Sequence, residues 1–174
     1  MFRMTKPQVF CLVFMIALLA APLLPAGEQK DPAPAPVPAQ IQAAKKVFIS
    51  NAGGELKDWF TGGPNRHYDE FYAAMKDWGH YQLVAAPADA DLIFEIHATG
   101  LYLSEREEIP KFELAIYDPR THVVLWALAE RLDLAIRKGH RDANFDRAMD
   151  KLMQRVKQLV EQGHDQVVPI PSAP

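Results

Sequence analysis

The chain has 174 residues, 49% of them hydrophobic and 24% charged, and this balance together with the length suits one globular domain. The formal charge is −3, and without Arg3 and Lys6 it is near −5, with 17 basic against 22 acidic residues. That excess of acids excludes nucleic acid as a partner, because nothing would offset phosphate repulsion.

The amino terminus carries Arg3 and Lys6 and no acid before Glu28. An apolar run from Val9 to Leu24 follows, ending in Leu-Pro-Ala-Gly with Leu24 and Ala26 at the positions a signal peptidase reads. Charged start, short apolar stretch and small-residue stop are the three parts of a secretory signal peptide, expected over residues 1–26. The run is shorter than the ~20 apolar residues of a membrane span, so the mature form is expected not to be membrane-embedded; an uncleaved inner-membrane anchor is the alternative. Cys11 is the only cysteine and lies inside the apolar run, not at a cleavage point, so it reads as no lipid anchor. Cleavage would leave no thiol, and stability would then come from the core alone.

Residues 27–44 alternate Pro and Ala through Asp-Pro-Ala-Pro-Ala-Pro-Val-Pro-Ala and read as an extended linker. A single domain is expected over residues 45–163. Lys-Lys-Val-Phe-Ile-Ser predicts a first strand, and a loop with the pairs Gly53-Gly54 and Gly62-Gly63 follows. Tyr68, Phe71, Tyr72, Met75 and Trp78 recur at helical spacing, with Asn65 as N-cap and Gly79 as stop. His80 to Ala85 predicts a second strand. In the third, Asp91 to Tyr102, Leu92, Phe94, Ile96 and Ala98 point one way and Glu95, His97 and Thr99 the other. Phe112, Leu114 and Ile116 repeat the pattern in a fourth strand, and Asp118-Pro119-Arg120-Thr121 has the composition of a turn into a fifth, Val123 to about Leu134. Residues 143–162 predict a closing helix ended by Gly163, and residues 164–174 a loose tail. The order β-α-β-β-β-α implies an α+β two-layer sandwich: a mostly antiparallel sheet, the first strand joined through a right-handed crossover, and both helices on one face.

Lys-Val-Phe-Ile at 46–49, Tyr-Asp-Glu-Phe-Tyr-Ala-Ala-Met-Lys-Asp-Trp-Gly at 68–79, Ala-Asp-Ala-Asp-Leu-Ile-Phe-Glu-Ile at 88–96 and Ile-Tyr-Asp-Pro-Arg-Thr at 116–121 form a series. It resembles a group of uncharacterised exported bacterial proteins, and its layout resembles the envelope domain of the TolB amino-terminal domain and the curli-secretion lipoprotein. The resemblance spans about residues 45–162. It implies an envelope location and a binding or assembly role. The lipid-anchoring cysteine and a long barrel-forming hairpin are absent from the sequence pattern, so pore formation is not implied.

No residue pattern points to a catalytic, cofactor or metal site. The glycine pairs lack both Gly-x-x-x-x-Gly-Lys-Ser/Thr and Gly-x-Gly-x-x-Gly. Glu95 and His97 share a strand face and form the one speculative polar cluster, with Glu113 or Tyr117 as neighbours on the next strand. A carboxylate beside an imidazole can act as a general-base pair or a partial metal site, but an open sheet face is the ordinary home of such residues. His67, His80, His122, His140 and His164 are scattered over separate elements. Trp59 and Phe60 either fold over the core edge or offer a partner contact. The expectation is an exported, periplasmic or secreted, non-catalytic interaction module that binds another envelope protein and needs no cofactor. The alternative is a small secreted enzyme or metal-binding protein using the Glu95/His97 face.

Overall fold

A computed structural model describes residues 35–54, 60–104, 107–133 and 135–165. The signal-peptide expectation for residues 1–26, residues 27–34 of the linker and the tail beyond Asp165 lie outside the described residues.

The fold is an α+β sandwich: a five-stranded mixed sheet with its helices packed on one side. In chain order the elements are α1 (Ala39–Ala43), β1 (Lys46–Gly54), α2 (Arg66–Trp78), β2 (Gln82–Leu83), β3 (Leu92–Ser104), β4 (Glu107–Tyr117), β5 (Val124–Arg131) and α3 (Lys138–Asp165). The sheet order is β2-β1-β3-β4-β5. β1 is parallel to both β2 and β3, whereas β3-β4 and β4-β5 are antiparallel and carry the longer ladders.

Alternation explains why the sheet has one dry face. Leu92, Phe94, Ile96 and Ala98 of β3 are buried, and the register sets Phe94 against Ile116, Ile96 against Leu114 and Ala98 against Phe112. Val47 and Ile49 extend this layer on β1, and Leu128 on β5. Phe71 and Met75 of α2 and Phe145, Met149, Leu152, Val156 and Leu159 of α3 close over it. Because the buried positions recur every three or four residues, each helix turns a single stripe to the sheet. Tyr72, expected in the α2 stripe, is instead 38% exposed.

Three local features differ from the sequence expectation. Residues 37–44, assigned to the linker, belong to the packed domain: Val37, Ile41 and Ala44 are buried, and α1 packs against α3. The Pro/Ala composition hid Val37 and Ile41, two apolar side chains that the packed domain buries. Asn65 does not cap α2 with its side chain; its Oδ1 accepts from the Asn51 side chain at 3.0 Å. Gly163 does not end α3, which runs on to Asp165, and α3 begins at Lys138, five residues earlier than the apolar stripe indicates. A lone glycine costs a helix only ~1 kcal/mol. Gly79 does stop α2: its φ of 66° is left-handed, and its N–H bonds the Met75 carbonyl at 3.3 Å.

Polar ties fix the element ends. The Asp91 carboxylate accepts the N–H groups of Lys45 and Lys46 at 2.8 and 2.9 Å, joining the starts of β1 and β3 and holding this carboxyl below the usual carboxylate range. Asp118 accepts the Arg120 N–H at 2.8 Å and closes the β4-β5 turn, where His122 takes a left-handed φ of 57°. Arg66 bonds Asp142 at 2.9 Å, Asp146 at 2.5 Å and Glu70 at 2.6 Å, and lies 4.2 Å over the Phe145 ring. It clamps the start of α2 to α3 through a forked guanidinium, which one ammonium could not replace.

Candidate functional site

The sheet face opposite the helices is the site that the sequence pattern singles out. β3 presents Ile93, Glu95 and His97 there, β4 presents Lys111, Glu113, Ala115 and Tyr117, and β5 presents Ala127 and Ala129. The register places His97 opposite Glu113, Glu95 opposite Ala115 and Ile93 opposite Tyr117. Together with Ala52, the three alanines floor a shallow depression of about 360 Å³ that opens to solvent.

Glu95 and His97 share this face, but the structure does not couple them to each other. The Tyr117 hydroxyl donates to Glu95 Oε1 at 3.2 Å, and the Ser50 hydroxyl donates to Glu95 Oε2 at 3.4 Å. His97 turns the other way: its Nδ1 lies 3.7 Å from Glu113 Oε2, an ion pair only when the imidazole is protonated. Glu113 also takes the Lys111 ammonium. Two separate pairs therefore stand where a single catalytic pair would need one. Desolvation, then the Glu95 charge, pushes the Tyr117 phenol above its ordinary value, so Tyr117 stays a donor to Glu95. His97 is 35% exposed and Glu113 42% exposed, so solvent screens their attraction.

Among the described residues no three His, Cys, Asp or Glu side chains come together in a group that could hold a metal ion. Gly53 and Gly54 belong to β1 rather than to a loop, and a Cβ on Gly54 would meet His67 Cε1 at 3.1 Å and Ala98 Cβ at 3.2 Å, so this glycine serves close packing. Phe60 is 8% exposed and its ring packs on Phe145 at 5.1 Å, so it is no surface contact; Trp59 lies outside the described residues.

The sequence reading left His67 among scattered histidines. The structure buries it at 3% exposure on the inner face of α2, its Nε2 3.1 Å from the Asn51 side-chain oxygen. Burial, with a smaller contribution from the His97 charge, lowers its pKa below the ordinary value. The signal was present in the spacing: His67, Phe71 and Met75 follow one another at four-residue intervals.

Among the described residues no helix is long and apolar enough to cross a membrane. No family model and no curated protein sequence matches the chain. Solved structures do. A neuraminyllactose-binding hemagglutinin homolog from Helicobacter pylori is similar with a TM-score of 0.48 at 11% identity, over 77% of this chain and 91% of that one. A protein of the DUF330 family from Xanthomonas campestris has a TM-score of 0.42 at 13% identity, over 75% and 92%. The lipoprotein GNA1162 of Neisseria meningitidis has a TM-score of 0.37 at 10% identity, over 66% and 99%.

Proposed function

We propose that this chain is an exported interaction module of the bacterial cell envelope that binds another envelope protein through its open sheet face. The observation that carries the reading is the state of that face. Its polar side chains are already matched in two pairs, and between them lies a wide alanine floor with no enclosed cavity. Catalysis needs convergent groups and excluded water; a broad, shallow, self-satisfied surface suits a macromolecular partner. Export is supported by the charged start, apolar run and small-residue stop of residues 1–26. The finer resemblance to the TolB amino-terminal domain and the curli-secretion lipoprotein, drawn from residues 45–162, agrees with the same role.

Two experiments test the reading. N-terminal sequencing of the exported protein should find a new terminus near Gly27, and an intact Met1 on that product would refute cleavage. Affinity capture from envelope extract should retain a defined protein that is lost when Ala115→Arg and Ala127→Arg fill the floor. Capture that is indifferent to both arginines would remove this face from the binding role.

A further inference from the structure

The strand register lays out the open sheet face in rows of graded polarity. Phe48, Ile93, Tyr117 and Val124 are neighbours across four strands and form an apolar row. The first three are half-buried and Val124 is 49% exposed. The next row is Ser50, Glu95, Ala115 and Ala127, and the one after it holds His97, Glu113 and Ala129. On the side away from the apolar row, the Lys111 ammonium and the His97 imidazole both turn to Glu113. Glu95 is different. Its partners are the neutral hydroxyls of Tyr117 and Ser50, and among the described residues no lysine or arginine pairs with it. It is hydrogen-bonded, but its charge is not balanced. A half-buried carboxylate beside apolar side chains attracts a cation more strongly than one in open water.

We infer that Glu95 anchors the partner on this face by receiving an arginine side chain that the partner presents beside large apolar residues; the inference rests on the reading of the open face as the binding surface. The local chemistry selects arginine. Glu95 Oε1 accepts from Tyr117 at 3.2 Å and Oε2 from Ser50 at 3.4 Å, so each oxygen keeps acceptor capacity for one more donor. Two parallel donors match that arrangement. A guanidinium carries them in a fixed fork, whereas an ammonium is a point charge. The two hydroxyls already orient the carboxylate, so little rotamer freedom is lost when the fork binds. Tyr117 sets an aromatic ring beside the same carboxylate, a surface on which a guanidinium stacks. Ala115 and Ala127, level with Glu95 in the register, raise only a methyl group each and leave room for the methylene stem. Phe48, Ile93 and Val124 then meet the apolar side chains that flank the arginine.

NMR titration of the exported chain with acetyl-Leu-Arg-Leu-amide, and with the same peptide carrying citrulline for arginine, tests the assignment. Citrulline keeps the shape and removes the charge. The arginine peptide should shift the amides of Glu95, Ala115 and Ala127 and bind at least ~5-fold more tightly than the citrulline peptide. Glu95→Gln should bring the two peptides within ~2-fold of each other. Glu113→Gln removes the same charge from the same face and should keep the preference, because Glu113 is already paired. Equal binding of the two peptides to the native chain would overturn the proposal, and so would an absence of shifts at these amides. Equal loss of preference in both glutamine variants would also overturn it, by assigning the effect to diffuse charge. Envelope capture separates the anchor from the wider binding role. Capture undiminished by Glu95→Gln but lost with Ala115→Arg and Ala127→Arg would remove the anchor and leave the face as the binding surface. Capture indifferent to the two arginines would remove the face, and the anchor with it.

Discussion

The Tyr117 phenol reaches diagonally across the β3-β4 ladder to donate to Glu95 Oε1 at 3.2 Å. This bond commits the carboxylate to Tyr117, while the His97 imidazole two residues along pairs with Glu113, so the two side chains form no acid–base pair with each other.

The double change Glu95→Ala/His97→Ala is therefore expected to leave the fold intact, and the mature domain should take up no stoichiometric zinc. A lone surface imidazole binds the ion weakly. Calorimetric zinc titration of both forms decides it. Tight one-to-one binding that vanishes in the double variant would put metal-assisted chemistry ahead of the interaction role.

Phe94 and Glu95 are sequence neighbours on opposite sides of β3. Phe94 is fully buried, so Phe94→Ala should cost ~3–5 kcal/mol. Glu95→Ala, on the open face, should cost less than ~1 kcal/mol. Chemical denaturation measures both, and the reverse order would contradict the strand's facing.

His67 makes stability depend on pH. Its folded pKa is lowered, mainly by burial, so below its unfolded value of ~6.5 the unfolded chain binds the extra proton first. The contribution of His67 to stability is complete above that value and is lost as pH falls from there towards the folded pKa. Urea midpoints across pH 7.5 to 5.5 should drop for the native chain, and the slope should be shallower in His67→Gln. Identical slopes would remove His67 as the cause.

The domain begins before the first strand. With Val37, Ile41 and Ala44 buried, backbone NMR order from Val37 onward should match that of β1, and Ile41→Ala should cost ~2–4 kcal/mol. Low order through residue 44 would restore the linker boundary at the first strand.

The sequence alone was enough for the central strands and their facing. Phe94 and Ile96 alternate with Glu95 and His97, and a side-chain period of two leaves one way to bury the apolar set. It also sufficed for the apolar stripes of α2 and α3, for the stop at Gly79 and for the turn at Asp118, since each depends on residues within a few positions of one another. Only the tertiary structure decided who meets whom across the elements. Glu95 finds Tyr117 and Ser50, and His97 finds Glu113, because strand register sets these neighbours and a local pattern carries no register. Val37 and Ile41 look like linker residues until α3 supplies a surface to bury them, and a stretch this short has no stability of its own. His67 has its pKa lowered by a burial that arises only when α2 closes over β1 and sets Gly54 and Asn51 against the imidazole.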